Sequence, residues 1–139
     1  MTATTNAIVT EMRDGELMPV LLKAGVNVLE GTLAIVGTDG YAVDSTQAAG
    51  ADKTCLGVWD NSAQNIGGDG DALALVRRNK QFLFANSTTD AVTQADLGEW
   101  VYVADNQTVA KTDGTGTRSV AGRFMGFDTQ FDQHVWVEI

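Results

Sequence analysis

The chain has 139 residues, 44% of them hydrophobic and 19% charged, with nine Lys and Arg against eighteen Asp and Glu for a formal net charge of −9. That length can bury a core within one domain, without disulfides or a metal. The acidic balance argues against direct contact with nucleic acid, no run approaches the ~20 apolar residues of a membrane span, and the lone Cys55 excludes an internal disulfide.

Residues 1–16 are rich in Thr, Ala and Asn and carry one short apolar patch at Ile8, Val9 and Met12. They lack the basic head and apolar centre of a secretory signal, so synthesis for the cytoplasm is expected. They read as an extended N-terminal arm, and 17–139 as a single β domain. Beyond the arm, short apolar runs alternate with Gly, Asp and Asn, the punctuation of strands and turns.

The predicted strands are Val20–Lys23, Val26–Leu29, Leu33–Gly37, Tyr41–Asp44, Cys55–Asp60, Ala72–Val76, Gln81–Asn86, Trp100–Ala104, Thr108–Lys111, Val120–Phe127 and Val135–Glu138. So many short strands at tight spacing predict an all-β barrel or sandwich. Gly37-Thr38-Asp39-Gly40 supplies the positive-φ positions of a hairpin turn, and Asp105-Asn106 marks a second hairpin. One helical turn is predicted at Thr93–Leu97, with Thr93 as cap and Asp96 at the third position. Fifteen glycines and one proline suit bulges and corners better than helices.

Few residues suggest chemistry. His134 and Cys55 stand alone, without the sequence context of a nucleophile and its base, so no enzymatic activity is expected. Cys55 reads as a small strand hydrophobe. Gly67-Gly68-Asp69-Gly70-Asp71 offers carboxylates to a hard cation but departs from the EF-hand spacing and reads as an acidic turn; no metal or cofactor is expected. Gly114-Thr115-Gly116-Thr117 lacks the P-loop lysine and reads as a mobile loop. Trp59, Trp100 and Trp136 sit in strand-like runs and are expected in the core. Arg77, Arg78 and Lys80 form the one concentrated basic cluster, readable as a solvated hairpin turn or as a docking patch for an acidic protein surface.

Several phrases occur in order along the chain: Lys23-Ala24-Gly25, Glu30-Gly31-Thr32-Leu33-Ala34, Asp39-Gly40-Tyr41-Ala42-Val43, Leu56-Gly57-Val58 before Asp60-Asn61-Ser62, Phe84-Ala85-Asn86, Ala91–Gly98, Val101–Asp105, Thr108-Val109-Ala110 and Ala121-Gly122-Arg123. In this order, from Lys23 to Ile139, the chain resembles the capsid decoration, or cement, proteins of tailed phages. The resemblance implies a compact β-barrel or β-sandwich, β-tulip-like or jelly-roll-like, with an extended N-terminal arm. It implies a structural virion protein on the capsid exterior, bound to the major capsid protein lattice and to itself, as a homotrimer in preference to a dimer. It carries over no catalytic residue. Ile8, Val9, Met12, Arg77, Arg78 and Lys80 are the candidate contacts with capsid or sister subunits. Another phage structural β domain, from tail or baseplate, is the alternative reading, followed by a small hydrolase or carbohydrate-binding module.

Overall fold

A computed structural model describes residues 2–139; Met1, the first residue of the expected arm, lies outside the described residues. The protein is all-β, with eleven strands and two single turns of 3-10 helix among the described residues. The strands are β1 (Leu17–Leu21), β2 (Asn27–Val28), β3 (Leu33–Val36), β4 (Thr54–Trp59), β5 (Ala63–Gln64), β6 (Leu73–Arg77), β7 (Gln81–Asn86), β8 (Trp100–Val103), β9 (Thr108–Ala110), β10 (Val120–Phe127) and β11 (His134–Glu138). No helix among the described residues is long and apolar enough to cross a membrane.

Two assemblies share the chain. The first half forms an open antiparallel sheet in the order β1-β6-β4-β3, with β2 and β5 paired separately. The second half closes into a five-stranded barrel, β10-β11-β7-β9-β8, in which only β7 and β9 run parallel. Each has its own core. Val20, Leu22, Val28, Trp59 and Val76 pack beneath the open sheet, while Phe84, Val101, Val103, Phe124, Val135 and Val137 fill the barrel.

Strand β3 joins the two cores. Its four residues are all buried, and period-two alternation sends Leu33 and Ile35 to the barrel core and Ala34 and Val36 to the other. A strand buried on both faces reads as an unbroken apolar run, as Leu33-Ala34-Ile35-Val36 does. Neighbouring β4 divides likewise, with Cys55 and Val58 against the barrel core and Leu56 against the other. Its pairing with β3 slips by one residue between Ala34 and Ile35, a bulge that adds twist.

Most expected turns are present. Gly37 N–H donates to Tyr41 O at 3.0 Å, reversing the chain with Gly40 at φ 81°. The returning segment differs from expectation: Tyr41–Asp44 is not a strand, and only Ala42 bridges to Leu22 and Val36. Asp44 ends the pairing because its carboxylate is turned to the Thr46 and Asn27 amides, each at 3.0 Å. The short strand Ala63–Gln64, paired to β2, was not expected. The Asp105-Asn106 hairpin joins β8 to β9, with Ala104 N–H donating to Thr108 O at 3.0 Å. At Thr93–Leu97 the chain makes one 3-10 turn over Gln94–Asp96, where the Asp96 carboxylate accepts from the Thr93 amide at 2.7 Å.

Residues 2–15 contain no strand or helix, and their side chains are exposed, Ile8 by 70% and Val9 and Met12 by 92% each. Their hydrogen bonds are local, Thr4 with Asn6 and Asp14 with Glu16.

Candidate functional site

Between β6 and β7 the chain crosses from open sheet to barrel through Arg78, Asn79 and Lys80. The expected hairpin turn is therefore a connection between sheets, because β6 pairs with β1 and β4 while β7 pairs with β9 and β11. Arg78 N–H donates to Glu16 O at 2.9 Å, and the amides of Asn79 and Lys80 donate to Ile139 O at 2.6 and 3.3 Å. Asn79 takes φ 60°, a left-handed conformation that asparagine tolerates. The crossing is thus clasped by the residue that precedes β1 and the residue that follows β11.

Beside this clasp opens a groove of about 1070 Å³, walled by β4 on one side and β10 on the other. Its lining includes five cations, Lys53, Arg78, Lys80, Arg118 and Arg123, and one acidic side chain, Glu138. The remaining four Lys and Arg share the rest of the chain with seventeen Asp and Glu. The groove is therefore a positive recess in a strongly negative surface, and low-dielectric walls focus such a field.

The sequence cluster is divided where β6 ends at Arg77 and the crossing begins. Arg78 and Lys80 line the groove, whereas Arg77 pairs instead with Asp60 through Nε and Oδ1 at 2.8 Å. Lys53, Arg118 and Arg123 were not singled out from sequence; they come from separate segments, and no local pattern joins them. Lys53 Nζ donates to the carbonyls of Gln47 and Ala49 at 2.6 and 2.9 Å. Arg118 pairs with Asp90 at 2.8 Å, and Lys80 with Glu16 at 3.2 Å. Arg78 and Arg123 have no carboxylate partner among the described residues.

Of the three tryptophans expected in the core, Trp59 alone lies there. Trp59 is buried and Trp136 half-buried, but Trp100 stands 48% exposed at the groove rim. Val101 and Val103 of the same strand point into the barrel, so alternation turns Trp100 outward. Its cross-strand partner is Arg123. Gly122 allows β10 to approach the last strand, since a Cβ there would lie 2.3 Å from the Glu138 carbonyl oxygen.

Of the two residues considered for chemistry, Cys55 lines the groove and His134 lies outside it. Burial pushes the Cys55 thiol up to about 12, so it stays protonated at neutral pH and is a poor nucleophile. His134 opens β11 with Nδ1 2.8 Å from Asp132 O and its ring against Phe131; no hydrogen bond joins it to Cys55. In the Gly67–Asp71 loop, Asp69 accepts from the Ala24 amide at 2.9 Å and Asp71 from the Gly68 amide at 2.8 Å. Those carboxylates hold backbone, and no group of three or more His, Cys, Asp or Glu that could hold a metal occurs among the described residues. The Gly114–Thr117 loop, expected to be mobile, is tied at both ends by Asp90, which accepts from Thr112 and Arg118.

Compared with known proteins, the chain matches no family model, no curated protein and no solved structure.

Proposed function

We propose that the protein is a non-enzymatic structural component that attaches to the outside of a phage capsid and stabilises the lattice of the major capsid protein. One observation supports this reading: residues 2–15, ahead of the β strands, form no strand or helix and leave Ile8, Val9 and Met12 exposed. An extended segment of this kind gains affinity by lying against another protein, where main-chain hydrogen bonds and apolar anchors combine. A protein that binds only the assembled shell adds its binding free energy to the stability of that shell. The reading includes self-association, as a homotrimer in preference to a dimer, so that the shell contacts of several copies act together by effective concentration. The acidic surface leaves association to specific contacts and disfavours nucleic acid.

The test is co-sedimentation of the purified protein with capsids whose own decoration protein has been stripped. Saturable binding and a higher shell disassembly temperature are expected. Absence of binding to any such shell, or binding without a change in shell stability, overturns the reading.

A further inference from the structure

The groove and the arm are complementary and adjacent. Residues 11–16 carry Glu11, Asp14 and Glu16 against Arg13, and the groove carries Arg78 and Arg123 without carboxylate partners. Upstream in the arm, Ile8, Val9 and Met12 are exposed; at the groove, so are Trp100 and Val120. The arm also leaves its own domain at the groove rim. Glu16 O accepts the Arg78 amide, and the Glu16 carboxylate meets Lys80.

We propose that the groove receives the N-terminal arm of a second copy of this chain. The copy's own arm does not cover its apolar residues, since 2–15 bond only to near neighbours in the chain and remain exposed. An arm that starts beside one groove and ends in the next makes a head-to-tail contact, which closes into a ring when the rotation returns to its origin. The carboxylates of the arm and Arg78 and Arg123 set register and encounter rate, while Ile8, Val9 and Met12 against Trp100 and Val120 supply the apolar contact. The inference rests on the self-association included in the reading above and is independent of the shell.

The test is sedimentation equilibrium of the full chain in three charge variants: Arg78→Glu with Arg123→Glu, Glu11→Arg with Asp14→Arg, and all four together. The unsubstituted chain is expected to self-associate. Each pair of reversals should weaken association about tenfold or more, and the fourfold variant should recover it, because a reversed groove then faces a reversed arm. Far-UV circular dichroism and melting temperature report whether each variant folds. Should a reversal impair folding, Arg78→Gln with Arg123→Gln, and a rise in salt from about 0.05 M to about 0.5 M on the unsubstituted chain, probe the same contacts and should each weaken association. A monomeric unsubstituted chain, unchanged association in either reversed pair, or no recovery in the fourfold variant overturns the inference. An acidic segment of another protein as the true occupant would appear as the first of these outcomes. Because only the isolated protein is used, loss of capsid binding in the earlier test leaves this result unaffected.

Discussion

The Arg123 guanidinium lies over the Trp100 ring, its central carbon 4.0 Å from the ring centroid. The two residues are cross-strand partners on β10 and β8, and Arg123 Nη1 donates to Gly98 O at 2.9 Å, so the cation is held by the ring on one face and by a carbonyl at its edge. A cation on an aromatic face at an exposed site contributes about 0.5–1 kcal/mol. Arg123→Ala should lower stability by that amount and raise acrylamide quenching of the indole. Arg123→Lys should recover only part, because an ammonium cannot lie flat on the ring. Unchanged melting and quenching in Arg123→Ala would show that the stack is absent in solution.

Asn65 is the buried polar centre of the open-sheet half. Its amide donates to the carbonyls of Leu22, Lys23 and Gly68 at 3.0, 3.2 and 2.8 Å, and its Oδ1 accepts from Gly67 N–H at 3.0 Å. This pins the loop that carries Ile66, which is 91% exposed. Asn65→Ala leaves the Gly67 amide without its acceptor and removes one of two donors from each of the three carbonyls, and should cost about 1–3 kcal/mol in chemical denaturation. Asn65→Asp should cost more, since it replaces the donor with a buried charge. A loss below half a kcal/mol would mean that water replaces the side chain.

Gly57 stands where β4 meets β6. At φ 152°, a Cβ on this residue would lie 2.3 Å from the Arg77 carbonyl oxygen and 3.0 Å from Val76 Cγ1. The obstacle is backbone, which cannot rotate away, so Gly57→Ala should destabilise by about 2–3 kcal/mol or more. Thermal melts of this variant beside Gly98→Ala, where a Cβ would meet nothing within 4 Å, separate close approach from positive φ alone.

Stability should fall at both ends of the pH range. The Thr112 hydroxyl, with further help from the Thr112 amide and Arg118, holds the Asp90 carboxyl below its ordinary value. A folded-state carboxyl that is lowered stabilises above its unfolded value of about 3.9 and loses that contribution as pH falls through the lowered one. Asp90→Asn should therefore flatten the acid limb of melting temperature against pH. Cys55 acts in the opposite direction: buried and raised to about 12, it keeps a proton that the unfolded chain releases from about pH 8.5. Its contribution is whole below that value and declines as pH rises, by up to about 1.4 kcal/mol per pH unit. Cys55→Ala should reduce the alkaline slope, leaving the part that comes from Lys23, whose folded-state value Asp39 also raises; an unaltered slope would place the titration elsewhere.

Local chemistry determined much of the fold directly from sequence. The Asp105-Asn106 hairpin and the Thr93–Leu97 turn follow from residues within a few positions of one another, whose side chains and φ preferences act on their own backbone. Short apolar runs bounded by Gly and Asp identified most of the strands for the same reason. The run Trp100-Val101-Tyr102-Val103 shows the limit. Every residue is apolar or aromatic, so no polar alternation marks which face is outward, and only barrel closure exposed Trp100 and brought Arg123 over it. Likewise, nothing near Leu33–Val36 distinguishes the two cores that share it, and the parallel pairing of β7 with β9 depends on strands far apart in sequence. The groove is the most tertiary feature. Arg78 and Lys80 were legible as adjacent charges, but Lys53, Arg118 and Arg123 join them only because β4 and β10 are set face to face by the packing of the sheet against the barrel. Charge composition is a property of the chain; charge concentration in a recess is a property of the fold, since it depends on which distant segments the buried apolar residues bring together.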